Sequence, residues 1–214
     1  AYSYAESLVS RQWTAEQDLL NTFSAGTYTL ENPLIRLNPY LINPLSAAVL
    51  FRTEEETAVT VTVFGKEARG NIVHTFPRAK EHFLPILGLY ADCENKVELR
   101  LYGGRTHTLT IKTEPLDSAA PKLVSMHTEP EYTSEELIFV TPSLAQLATG
   151  FDYRGDIRWH LTVPVVFDMK RLKNGNFLIG TERVLKMPYY MSGLYEMTMA
   201  GKVVKEYSVP GGYH

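Results

Sequence analysis

The pattern of apolar and polar positions changes character near residue 27. Before it, Leu8, Ala15, Leu19 and Phe23 fall at spacings that share one face of a helix. This predicts helix over Tyr4–Ser24, in one or two pieces. Thr14 followed by Gln17 has the form of a capping box, which places a helix start or kink inside the stretch, and Gly26 supplies a stop. From Tyr28 the apolar residues come in short runs bounded by turn formers, as strands do. The runs are Leu34–Leu37, Ala47–Arg52, Ala58–Phe64, Asn71–Phe76, His82–Leu87, Lys96–Tyr102 and Arg105–Thr113. In Ala58–Phe64, Val59, Val61 and Val63 alternate with Thr60, Thr62 and Phe64, so the strand has two different faces. Gly103-Gly104 makes a tight hairpin turn between the last two runs. Glu54-Glu55-Glu56 lies between two strands and reads as a solvated turn. About seven short strands at this spacing fit an Ig-like β-sandwich of about 100 residues.

Pro115 to Pro121, with Asp117 and Ser118, reads as a linker. Leu123–His127 and Leu137–Val140 then lead into a different rhythm. After Gly155 come Ile157–Leu161 and Val163–Leu172, the latter splitting at Pro164. Lys173-Asn174-Gly175-Asn176 predicts a type I′ hairpin leading into Phe177–Gly180, and Gly193–Met197 pairs with Lys202–Ser208 around Ala200-Gly201. Together these describe one four-stranded antiparallel sheet, the form of a propeller blade. One blade cannot bury both faces, and propellers have about four to eight. The expected fold is therefore all-β: a helical segment at 1–26, an Ig-like β-sandwich at 27–114, and a linker with the first blade of a truncated β-propeller at 115–214. On this reading the chain is the front part of a larger protein.

Composition narrows the classes of function. With 214 residues, 44% hydrophobic and 21% charged, the chain can bury a sizeable core. A net charge of −3 gives no electrostatic reason for a nucleic-acid or anionic-membrane partner. No run reaches the roughly 18 apolar residues of a membrane span. Ala1 to Ser10 lack the order of a signal peptide, as does a secreted protein whose signal has been removed. Cys93 is the one cysteine, and no Cys/His spacing resembles a zinc site. His74, His82, His107 and His127 read as surface or core residues, whereas His160, beside Trp159 in a strand, is a candidate ligand contact. Asp92, Glu94 and the three consecutive glutamates form no metal or paired-carboxylate pattern. Tyr189-Tyr190 is a candidate border to a site, and Gly211-Gly212 is too short for a phosphate loop. Exposed blade faces and edges predict self-association as a homodimer, through a strand or the N-terminal helix.

Two stretches carry more than a generic β signal. One is Asn38-Pro39-Tyr40 with Asn43-Pro44-Leu45-Ser46-Ala47, followed by Val73-His74-Thr75-Phe76 and by the run from His82 to Tyr90. The other runs from Gly155-Asp156-Ile157-Arg158-Trp159 through Asn174-Gly175-Asn176 to Pro210-Gly211-Gly212-Tyr213-His214. Together they resemble the bacterial arylsulfotransferases that use no nucleotide sulfate donor. The resemblance implies a small N-terminal β-sandwich on a six-bladed propeller. It implies transfer of a sulfuryl group from a phenolic sulfate donor to a phenol acceptor through a transiently sulfated histidine, with no cofactor, in an exported (extracellular or periplasmic) enzyme. The nucleophilic histidine lies in a later blade in that family, and no residue here matches it. His214 is the one position carried over, as a sulfate-binding or acid/base histidine. The corresponding place in the preceding repeat, Val165-Val166-Phe167-Asp168, keeps an aspartate without a histidine, so the first blade is expected to contribute structure. This fragment alone is expected to be inactive. The alternative is a sandwich that serves as a binding or assembly module on a non-catalytic propeller.

Overall fold

A computed structural model describes residues 6–127, 136–141, 147–165, 169–181, 184–186 and 190–213. Helix α1, Leu8–Ala25, begins at Ser7, whose side chain accepts a hydrogen bond from the Ser10 N–H at 3.2 Å, and ends at Gly26. It is one uninterrupted helix. Thr14 and Gln17 sit inside it and cap nothing, because Ser7 already serves the N-terminus. Leu19 and Phe23 are buried on the predicted face, and so is Gln12, a polar residue that the periodicity does not single out.

Five strands follow: β1 Leu34–Leu37, β2 Ser46–Val63, β3 Ile72–Leu87, β4 Glu94–Leu101 and β5 Thr106–Lys112. The seven predicted runs condense because four of them are halves of the long strands β2 and β3. Glu54-Glu55-Glu56 is accordingly not a turn. It stays in strand β2, with all three side chains exposed. No glycine, proline or asparagine breaks the chain there, and β3 runs alongside on both sides of the slip. The register shifts between Arg52 and Thr57, and a bulge of this kind bends a strand. The first half of β2 pairs with β1 and β3, the second with β4 and β3. Val49 and Phe51 from one half, and Val59, Val61 and Val63 from the other, share one core with Ile86, Val97 and Leu99. The sheet thus curls around one core. Ala48 and Leu50 point the other way and meet Leu19 and Phe23 of α1. That is why the first half of β2 is buried on both faces.

The remainder forms two antiparallel sheets. β6 Ile138–Val140, β7 Leu147–Phe151 and β8 Ile157–Pro164 make the first. β9 Met169–Arg171, β10 Phe177–Gly180, β11 Val184–Lys186, β12 Tyr190–Met197 and β13 Val203–Tyr213 make the second. The expected four-stranded meander is present as β9, β10, β12 and β13, with β11 pairing to the start of β12. Leu123–His127 forms no strand, and β7 is an additional strand. The Asn-Gly turn differs from expectation as well. Gly175 donates to the Leu172 carbonyl at 3.0 Å and Leu172 to that of Asn176 at 2.8 Å, and only Gly175 has positive φ, +85°. This is a type I turn closed by a glycine bulge, since type I′ needs positive φ at two central residues. The same pattern closes Asp152–Asp156 and Thr198–Lys202. The two sheets pack through Phe139, Trp159 and Phe177, whose ring centroids lie 5.2–5.6 Å apart.

Candidate functional site

One polar construction lies where the sandwich, α1 and the two later sheets meet. It begins with the Asn38–Ser46 loop. Asn38 and Leu41 hold positive φ, +47° and +70°. That conformation is costly for leucine and is held by neighbours. The Asn38 side chain accepts from the Asn43 N–H at 2.9 Å. Asn43, wholly buried, accepts from the Leu45 N–H at 3.2 Å and donates to the Met199 carbonyl at 3.1 Å. Between them Ile42 inserts into the core of the later sheets, and its carbonyl accepts from the Thr162 N–H at 2.9 Å. Gly201, at the tip of the β12–β13 hairpin, has φ +92°, and a Cβ there would lie 3.0 Å from Ile42.

Gln12 closes the same construction from α1. Its amide nitrogen donates to the Tyr40 and Gly201 carbonyls, both at 2.8 Å, and its oxygen accepts from the Val203 N–H at 2.8 Å. One turn on, Glu16 binds the Lys202 ammonium at 2.6 and 2.7 Å and accepts from the Tyr40 hydroxyl at 2.9 Å. Burial, with this carboxylate beside it, pushes the Tyr40 phenol well above its usual pKa. Gln12→Ala leaves two carbonyls and one N–H without partners. It should destabilise the protein by about 2–3 kcal/mol, read from chemical denaturation. The exposed neighbour change Trp13→Ala should stay within about 0.5 kcal/mol.

A second anchor is Arg158 on β8, almost fully buried. Its Nε donates to the Gly88 carbonyl at 2.6 Å. Its Nη1 reaches the Gly70 carbonyl and the Tyr90 hydroxyl at 3.0 Å, and Asp152 at 3.5 Å. Asp152 in turn accepts from the Arg154 and Asp156 N–H groups, which shapes the turn before β8. Beside this anchor lies an open cleft of about 520 Å³ bordered by Lys66, Tyr90, Cys93, Asp117, Lys122 and Asp156. Lys66 and Asp156 already pair across its edge at 2.8 Å. Its charges are mixed, and it presents no converging set of donors or acids.

The later sheet carries one more polar cluster. Glu196 is buried. It accepts from Asn176 at 2.7 Å, Asn174 at 2.9 Å and Tyr207 at 3.3 Å, with Lys205 at 3.6 Å. The Asn176 and Asn174 bonds hold its carboxyl below the ordinary 4.5. A folded-state pKa below the unfolded one contributes stability above 4.5, which is lost as pH falls through the folded value. The melting temperature should therefore drop on acidification below 4.5, and Glu196→Gln should reduce that drop while lowering stability at pH 7.

His214 and Tyr189 lie outside the described residues, as do 166–168 and the Tyr190 side chain. His160 is wholly buried, with Nδ1 3.1 Å from the Thr149 hydroxyl, and so touches no exterior ligand. His82 is buried against Phe51, 4.7 Å between rings, with Nε2 3.1 Å from Thr53, and burial lowers its pKa. His74 and His127 are exposed and His107 is half-buried. Cys93 is exposed. No group of three or more His, Cys, Asp or Glu side chains among the described residues is placed to hold a metal ion, and no described helix is long and apolar enough to cross a membrane. Sequence reasoning missed Gln12 and Arg158. The only signal for either was a polar residue on an otherwise apolar helix face, or within a strand.

Comparison with known proteins adds two findings. A family model described as the arylsulfotransferase Ig-like domain matches residues 34–114. A second, described as arylsulfotransferase (ASST), matches residues 122–214. Among curated proteins, none matches the chain.

Proposed function

The chain belongs to the arylsulfotransferase family, and we propose that the full-length protein moves a sulfuryl group from a phenolic sulfate ester to a phenol acceptor in two steps. The observation that carries this reading is the pair of family matches, in order, over the Ig-like part and the part that follows. In the first step a neutral imidazole nitrogen attacks sulfur, the aryl oxygen–sulfur bond breaks, and the departing phenolate takes up a proton. In the second the acceptor phenol loses its proton and attacks the sulfated histidine, restoring the free imidazole. Such chemistry needs an unprotonated nitrogen, donors or cations for the sulfuryl oxygens, and an acid for the leaving group.

On this proposal the sheet of β9–β13 is a blade of a six-bladed propeller, and the later blades supply the nucleophile. β13 runs to Tyr213, and His214 follows it directly. His214 is assigned to sulfate binding or proton transfer at the propeller channel. Residues 1–214 alone are inactive, since one blade encloses no channel. The full-length protein works without a cofactor, outside the cell or in the periplasm, as a homodimer. The test is incubation of the full-length protein with an aryl sulfate and a second phenol. Sulfation of the phenol supports the assignment, and its absence over a range of donors contradicts it.

A further inference from the structure

His160 has a polar arrangement that the sulfotransfer reading does not use. It lies on the face of β8 opposite Trp159 and Leu161, which fill the core of the later sheets. Its neighbours on that face, Arg158 and Thr162, both reach the sandwich side: Arg158 to the Gly70 and Gly88 carbonyls, Thr162 through its N–H to the Ile42 carbonyl. His160 therefore sits between two contacts that cross the junction, and it is wholly inaccessible to solvent.

Its protonation state follows from its partner. The Thr149 hydroxyl donates its one proton to the Leu147 carbonyl at 2.9 Å. It can then only accept from His160, 3.1 Å away, so Nδ1 carries the proton. That leaves Nε2 as a bare lone pair, buried and without a hydrogen-bond partner among the described residues. A second proton would go to Nε2. It would create a buried cation with no acceptor among the described residues, on the same strand face as the Arg158 guanidinium. Asp152 already pairs with Arg158, and Lys66 with Asp156. Asp117, from the connecting segment, is the acid whose charge acts on His160, and it favours protonation. Burial acts the other way and is the larger effect, lowering the His160 pKa.

We propose that His160 is an acid-sensitive latch: neutral, it lets the β6–β8 sheet close on the Ig-like half, and protonated, it opens that junction. The sign follows from linkage. Histidine in the opened state titrates near 6.5, whereas in the closed state it titrates lower. Closure is therefore unpenalised above 6.5 and weakens below it. One proton taken up on opening gives a slope of about tenfold per pH unit in the opening equilibrium. The latch stands on local geometry and does not depend on the sulfotransfer reading.

The Thr162 amide, bonded across the junction, reports opening directly. Its hydrogen exchange, corrected for intrinsic rates, should rise about tenfold per pH unit below pH 6.5 in the full-length protein. Amides of the sandwich core such as Val97 and Leu99 should not follow. His160→Gln should flatten the slope, and His82→Gln, which removes the other buried histidine among the described residues, should keep it. A flat wild-type profile, or a slope that survives in His160→Gln, overturns the proposal. Should His160→Gln not fold, the wild-type imidazole decides by NMR. A neutral Nδ1–H ring that titrates below 6.5 supports the latch, and titration at or above 6.5 overturns it.

Discussion

Arg158→Met is expected to destabilise the protein by about 3–5 kcal/mol, the cost of breaking a buried, hydrogen-bonded ion pair from one side. Methionine fills much the same space, so the loss is one of polar pairing rather than volume. The Asp152 carboxylate stays buried without its cation. The Gly70 and Gly88 carbonyls lose the guanidinium as donor, and the Tyr90 hydroxyl keeps the Lys66 N–H alone of its two donors. Gly88 itself has φ +80°, a backbone conformation that other residues rarely adopt. The double change Arg158→Met with Asp152→Asn should recover part of the loss, because it removes the orphaned charge. Chemical denaturation of the two variants measures both effects. A loss below about 1 kcal/mol for Arg158→Met would place Arg158 among the weak surface pairs and remove it as an anchor.

The second large effect is on activity. His214→Asn in the full-length protein is expected to lower kcat by about 10²- to 10⁴-fold, the range for losing a positioned acid or base. Asparagine keeps a donor of similar reach but cannot exchange protons near neutral pH. If His214 transfers a proton, one limb of the pH–rate profile disappears in the variant. If it binds sulfate oxygens, the profile keeps its shape and the rate falls at every pH. His107→Asn, on edge strand β5 of the sandwich, should leave kcat unchanged. An unchanged rate for His214→Asn would remove this residue from the site.

The sequence disclosed the fold well where local patterning decides it. Val59, Val61 and Val63 face the core as their alternation predicts. Phe177–Gly180 is a strand with the stated limits, and Leu34–Leu37 likewise. What local pattern could not reveal was the continuity of β2 and β3, because a charged bulge inside a long strand looks like a turn. It also could not reveal partners far apart in the chain. Gln12 bonds to residues 189 and 191 positions away, and Arg158 to a carbonyl 70 positions away. The stretches that carried the family resemblance turn out to hold those contacts. Asn38, Tyr40, Ile42 and Asn43 form the loop that docks on the later sheets, and Gly88 and Tyr90 receive Arg158. Their residue types are explained by assembly of the junction rather than by chemistry at sulfur. The catalytic expectation rests instead on His214, which follows the last described strand.

The two-step route makes one demand that no scaffold meets. Given only an aryl sulfate, without acceptor, the full-length protein should release the phenol once per site. It should also gain the mass of one sulfuryl group on a histidine, and added phenol should remove it. Intact and peptide mass spectrometry measures this directly. Phenol release with no covalent sulfate, or sulfate on a residue other than histidine, would contradict the account.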